Sequence, residues 1–417
     1  MIKTGLQTLY KSSIMLVICG LVLFIFNGCE RDMALQNNIA LSGPIDPDVV
    51  KANTQFGFNL FNEIRKTEQD QNIFISPFSV SVALAMTLNG AAGETEQAMI
   101  GTLQLQDITT NSINSSYVQL QQALQTSDPK VTLTIANSLW GNEGVSFNPN
   151  FLQRNTQFFN AEISVLDFLV PSTLTTINQW VNDRTNGKIP KILDEINANA
   201  VLFLINAIYF KGEWQTEFDP ANTRDGMFHL ANGSTKQVPM MFRSGRYSHY
   251  FGDAFQAVNL PYGDGRISMY IFLPARDSNL NTFLETLNTE NWENWMSQFR
   301  EQEISLRMPK FKLEYGTKEL NDALIALGMG IAFDANRADF SRMAPLEDLG
   351  QNLYIDKVSH KTFIEVNEEG TEAAAVTVVG IVKTSLPPEF TADRPFFFAI
   401  RDNETGTVLF MGTVVEP

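Results

Sequence analysis

The chain has 417 residues, of which 44% are apolar and 18% charged, with 31 phenylalanines; a large hydrophobic core is available, and disordered, collagen-like and low-complexity classes are excluded. Acidic residues outnumber basic ones by 46 to 30, for a net charge of −16; such a surface repels phosphate backbones, which excludes nucleic acid as a partner. No internal repeat and no Pro/Gly/Ser-rich linker divides the chain, which predicts a single domain over residues 46–417.

Residues 1–13 carry Lys3 and Lys11 and no acid, and residues 14–26 are almost unbroken apolar. That run is too short for a helix across a bilayer, which needs about 20 residues; it has the pattern of a secretory signal peptide. Its end, Phe26-Asn27-Gly28-Cys29, resembles a bacterial lipoprotein signal. That resemblance implies removal of residues 1–28, lipidation of Cys29 and anchoring to a bacterial membrane, with the outer membrane as the expected site. Phe26 stands where such signals usually carry Leu, and ordinary cleavage nearby would instead release a soluble exported protein. Cys19 and Cys29 are the only cysteines, so nothing after Glu30 can form a disulfide or a thiolate nucleophile. Residues 29–45, with Asn37-Asn38 and Gly43-Pro44, read as a flexible tether.

Asp46-Pro47-Asp48 predicts a helix start, followed by an apolar face of Val49, Ala52, Phe56, Leu60 and Ile64. Ser76-Pro77-Phe78-Ser79 opens a second helix, whose run through Leu88 is apolar or small all round. Residues 131–139 alternate as a strand, and residues 175–181 begin a helix that Asn186-Gly187 stops. Residues 200–210 are continuously apolar, which predicts a strand buried on both faces. The second half predicts strands at 257–260, 267–273, 304–308, 363–366, 396–400 and 408–415, with helices at 280–287 and 318–327. Strands and helices mix without the regular alternation of a doubly wound or barrel fold, so the class is α+β with large sheets.

Catalytic motifs are absent. There is no G-x-x-x-x-G-K-[ST], H-E-x-x-H or G-x-S-x-G, and Gly328-Met329-Gly330 reads as a turn rather than a phosphate cradle. Only three histidines (His229, His249 and His360) are present to serve as base or metal ligand. No enzyme activity, cofactor or metal is expected.

The informative stretch is 364–390. Thr371, Ala373, Ala375 and Thr377 share one face of an extended chain, with Glu372 on the other, because the side-chain period of a strand is two. Taken alone, the segment reads as a solvated loop or a buried strand, and an ordinary Ala/Val strand or surface linker is the commoner case for such a run.

Six blocks in order then show that residues 45–417 resemble a serpin: 72–79 (NIFISPFS), 90–95 (GAAGET), 185–189 (TNGKI), 206–214 (NAIYFKGEW), His360-Lys361 with 365–375 (EVNEEGTEAAA), and 393–396 (DRPF). The resemblance implies three β-sheets, eight or nine helices and an exposed reactive loop at 370–388, in a metastable, monomeric protease inhibitor. A target protease attacks the loop, and the cleaved loop then enters the central sheet as a strand before the acyl-enzyme can hydrolyse. Turnover by proteases runs at about 1–10³ s⁻¹, so insertion must match that rate. The hinge implied is Glu368, Gly370, Thr371, Ala373, Ala374 and Ala375, which carries no proline and no bulky or charged inward group. By the family's spacing the scissile bond is Thr384–Ser385, followed by Leu386-Pro387-Pro388, and Val382 and Lys383 offer alternative cleavage positions. Expected targets are serine proteases with trypsin-like, elastase-like or subtilisin-like pockets, and the same loop chemistry extends to cysteine proteases. Ser76, Ser79, Asn206 and His360 match a polar cluster, the shutter, under two strands that must part. Trp214 and Lys310 match the breach where the loop enters, with Lys310 paired to Glu368. A non-inhibitory member acting as a binding or chaperone module is the alternative.

Overall fold

The computed structural model describes residues 44–125, 128–197, 200, 202–345, 352–371 and 387–417. The tether up to residue 43 and the loop from 372 to 386 lie outside the described residues, as do Cys29 and the positions Ala373, Ala374, Ala375, Val382, Lys383, Thr384 and Ser385.

Nine α-helices occur among the described residues: α1 Pro47–Thr67, α2 Pro77–Leu88, α3 Gly93–Thr102, α4 Thr110–Gln125, α5 Pro149–Phe159, α6 Ser172–Arg184, α7 Leu280–Glu285, α8 Thr289–Gln298 and α9 Asn321–Leu324. The strands are β1 Ile73–Ile75, β2 Val131–Asn142, β3 Glu162–Leu166, β4 Leu202–Glu213, β5 Arg224–His229, β6 Thr235–Phe251, β7 Phe255–Pro261, β8 Ile267–Pro274, β9 Arg300–Pro309, β10 Phe311–Glu319, β11 Lys357–Val366, β12 Gly370–Thr371, β13 Glu389–Thr391, β14 Phe396–Asp402 and β15 Val408–Val414. They form a nine-stranded sheet, β1-β15-β14-β8-β7-β6-β9-β13 with β5 on β6, and a six-stranded sheet, β10-β11-β4-β2-β3 with β12 on β4.

Three sheets are expected, and the hydrogen bonding joins two of them into one. Strand β6 runs for 17 residues and pairs β9 over ten positions, so it belongs to both parts. Phe390 lies on β13, at the far side of β9, yet its ring meets His249 near the other end of β6; the large sheet therefore folds back on itself.

The apolar run at 200–210 becomes β4, and its two faces enter different cores. Leu202, Leu204, Ile208 and Phe210 join the main core, while Phe203, Ile205 and Ala207 pack with Ile177 and Val181 of α6 on the outer face. Helix α2 is buried at every position, which explains its lack of a polar face. The helix predicted at 318–327 begins later. Lys318 and Glu319 end β10, paired with His360 and Ser359, so sheet pairing overrides helix propensity there.

Candidate functional site

The site lies along the seam between β4 and β11. These two neighbours run parallel, paired only from Phe203↔Lys357 to Ala207↔Lys361. Past that point β4 continues to Glu213 and β11 to Val366 without pairing to each other, so the seam between them is open at that end.

Ser76, Ser79, Asn206 and His360 converge at the paired end, all at most 1% exposed. Asn206 and His360 are direct register partners across the seam, and the His360 Nδ1 lies 2.9 Å from the Asn206 Oδ1. The Ser76 backbone N–H donates to His360 Nε2 at 3.1 Å, which places the ring proton on Nδ1 and the donation toward Asn206. The Asn206 amide donates to the Ser79 carbonyl at 3.0 Å, with Ser79 Oγ at 2.5 Å, and to Asn137 Oδ1 at 2.7 Å. Ser76 Oγ caps α2 by accepting from the Ser79 N–H at 3.2 Å and donates to the Leu409 carbonyl at 2.6 Å. Helix cap and seam network are thus one set of bonds. Full burial pushes the His360 imidazole down to about 3, so it is held neutral.

Asn137 was not among the residues singled out from sequence. It lies opposite Asn206 on β2, is 4% exposed, and its side-chain N–H₂ has no partner among the described residues. Its signal was present: a polar residue in phase with Val131, Leu133 and Ile135 on the apolar face of an alternating strand.

At the open end, Gly370 and Thr371 form β12 antiparallel to β4, opposite Glu213 and Gly212. Gly370 is required there. Its φ is +154°, and a Cβ would fall 2.1 Å from the Gly212 carbonyl oxygen. Thr371 is buried and shares a 2.8 Å hydrogen bond with the Tyr262 hydroxyl. Trp214 stacks on Tyr262 with ring centroids 4.4 Å apart, and its indole N–H donates to the Asn367 carbonyl at 3.0 Å. The Trp214 and Phe218 backbone N–H groups donate to the carbonyls of Glu369 and Glu368 at 2.9 and 2.8 Å.

Glu368 lies 2.7 Å from Lys310 Nζ and accepts from Thr223 Oγ1 at 2.7 Å. Its partial burial raises the carboxyl, but the bonds from Lys310 and Thr223 outweigh this and leave it below its ordinary value. Glu369, beside Glu217, Glu368 and Glu213, is pushed the other way, with desolvation as the larger cause. Tyr262 and Thr223 had no motif to mark them: both act through contacts formed only when distant segments meet.

This fold and this seam define a serpin. The chain matches the Serpin (serine protease inhibitor) family model over residues 51–417 and belongs to that family. It is 35% identical to human Serpin B11 over 394 residues, covering 88% of this chain and 98% of that protein. It is 37% identical to the leukocyte elastase inhibitor of Sus scrofa over 380 residues, with coverages of 88% and 98%. Among solved structures, the thermophilic serpin tengpin in its native state superposes with a TM-score of 0.83 at 34% identity, covering 90% of this chain and 96% of that one. The matched family model is described as one of serine protease inhibitors, and several of the relatives are named for inhibition of leukocyte elastase.

Proposed function

We propose that this protein is a suicide inhibitor of serine proteases that traps the acyl-enzyme by inserting its cleaved loop into the β4/β11 seam. The observation that carries the reading is β12: the first two residues of the loop already pair antiparallel with β4 at the open end, buried rather than exposed. Continuing that register sets Ala373 opposite Phe210, Ala375 opposite Ile208 and Thr377 opposite Asn206. Phe210 and Ile208 face the main core, and paired residues share a face. As far as Thr377, the inward positions of an inserted strand are therefore the small ones, and Glu372 and Val376 fall on the outer side. Strand β4 has 12 residues, so in the same register residues 370–381 match its whole length.

In the reaction, the protease serine oxygen attacks the Thr384 carbonyl carbon. The bond to the Ser385 nitrogen breaks, that nitrogen leaves as a protonated amine, and the loop remains attached as an ester. Insertion must then break the Asn206–His360 contact and separate the five register pairs. The gain is a strand paired on both edges.

Specificity follows the bond used: Thr384 suits small apolar pockets of elastase-like or subtilisin-like enzymes, Val382 an elastase-like pocket and Lys383 a trypsin-like one. Cleavage of Cys29's leader and its lipidation would display the inhibitor on a bacterial outer membrane. The test is incubation with a trypsin-like and an elastase-like protease, then denaturing gels and mass analysis of the released peptide. A covalent complex with a C-terminal fragment starting at Ser385, Thr384 or Lys383 supports trapping. Cleavage without a complex across a broad panel would favour the binding-module alternative. Lys383→Ala should abolish inhibition of trypsin-like enzymes and spare elastase-like ones.

A further inference from the structure

A second feature fixes the C-terminal end of the reactive loop. Strand β13 follows the loop directly and is an edge strand of three residues with one neighbour, β9, paired in parallel from Glu389↔Ser305 to Thr391↔Arg307. The Ser305 N–H donates to the Pro388 carbonyl and the Ala392 N–H to the Arg307 carbonyl, both at 2.9 Å. Phe390 is the buried side chain of the strand, and its ring meets the His249 ring edge-on, with centroids 6.1 Å apart. Beyond β13 the chain is held independently. Asp393 accepts from Arg276 at 2.6 Å and from Arg394 at 2.7 Å, and its carbonyl accepts from the His229 N–H at 2.7 Å. Any loosening at β13 is therefore confined to the stretch between Pro388 and Ala392.

His249 belongs to both ladders of β6, opposite Arg300 on β9 and Val258 on β7, so its backbone is tied on either side. Its ring is 4% exposed and lies against both Phe390 and Phe251. Gln256 supplies a hydrogen bond that favours the charged ring, but desolvation outweighs it and holds the imidazole below its ordinary value. The charged groups on the surrounding elements are turned elsewhere. Arg300 donates to the Ser297 and Phe299 carbonyls at 2.8 and 2.7 Å. Arg276 and Arg394 are engaged with Asp393, while Asp253 on the turn after β6 and Glu389 on β13 are exposed. Burial and Gln256 act on the ring, and none of these charges does.

We infer that His249 is an acid-sensitive latch on the loop's C-terminal anchor: when its ring takes up a proton, Phe390 is expelled and β13 separates from β9. A charged imidazole needs water, and keeping it buried without a charged partner is costly. The ring cannot leave with its own strand, because β6 is paired on both edges at this residue. Phe390 stands on a three-residue strand paired on one edge only, so that contact gives way first. The loop is then fixed at its Gly370 end alone. Loss of protease inhibition in acid is the consequence, and it rests on the inhibitor reading proposed above.

The test is amide hydrogen exchange of residues 305–307 and 389–392 at pH 7.5 and 5.5, corrected for the intrinsic pH dependence of exchange, in the full chain carrying His360→Gln so that the seam does not contribute. An imidazole that returns to its ordinary value of about 6.5 on exposure raises the open population by up to about tenfold over this interval. That rise is expected with His249 in place and lost in His249→Gln and in His249→Phe, the second of which keeps an aromatic ring against Phe390. His229 remains in every variant and cancels. The exchange readout does not require the chain to inhibit a protease, so the latch and the inhibitor reading fail separately. Three outcomes would overturn the inference: an equal acid response in the variants, a rise spread over the whole chain, or no rise with His249 present, as when the protonated ring reaches water past Phe251 and leaves β13 in place.

Discussion

Acidification should open the β4/β11 seam through one residue, His360. In the folded protein its ring is fully buried, accepts from the Ser76 N–H and faces Asn206 Oδ1, and its pKa is pushed down to about 3. Once the strands part and water enters, the ring returns toward its ordinary value of about 6.5. The open state then binds the proton that the closed state refuses, so closure is favoured fully above pH 6.5 and loses ground as the pH falls toward 3. One unit below 6.5 the loss is about 1.4 kcal/mol, a tenfold rise in the open population. The assay is amide hydrogen exchange of residues 203–207 and 357–361 at pH 7.5 and 5.5, corrected for the intrinsic pH dependence of exchange. His360→Gln supplies the control, since an amide can accept from Ser76 and donate to Asn206 but does not titrate. Its exchange should be insensitive to pH over this range. His249, also buried and depressed by desolvation, remains in both proteins and cancels. An equal response in wild type and His360→Gln, or none in wild type, would refute the reasoning.

Three further outcomes are expected. Thr371→Arg places a charge where the side chain is 1% exposed and bonded to Tyr262; burying an unpaired charge costs several kcal/mol, so inhibition should give way to cleavage, read as the ratio of complex to cut inhibitor on denaturing gels. Gly370→Ala meets the Gly212 carbonyl, so β12 should detach, seen as faster exchange of the Trp214 amide that bonds Glu369. Glu368→Gln removes a carboxylate held by Lys310 and Thr223 and should cost about 1–2 kcal/mol, since hydrogen bonds to a charged group contribute about 1.5–3 kcal/mol and solvent screens the pair with Lys310, which is 38% exposed. A lowered melting temperature at neutral pH checks it. Because that carboxyl is depressed in the fold, its contribution is present above its unfolded pKa and lost as the pH falls through the folded one, so the difference between variant and wild type should shrink in acid.

Local chemistry made much of this molecule legible. Ser76-Pro77 announces a helix start because a hydroxyl before a proline satisfies orphan N–H groups and pre-sets φ. Residues 200–210 announce a doubly buried strand because no polar side chain interrupts them. The small residues at Thr371, Ala373, Ala375 and Thr377 follow a two-residue period that needs no neighbour to be read. What chain order could not show was pairing. That Asn206 faces His360, 154 residues away in sequence, depends on β4 and β11 becoming parallel neighbours, and nothing local encodes that contact. Lys318 and Glu319 look helical by propensity and end a strand because His360 and Ser359 claim their backbone. Tyr262, Thr223 and Asn137 carry ordinary sequence contexts and acquire partners only through tertiary contact. Composition and period therefore determined the elements, the α+β class and the face each strand buries, because those depend on neighbours along the chain. The open seam and the bonds across it were decided by the folded structure alone, because parallel strands are joined by long connections whose ends meet only in three dimensions.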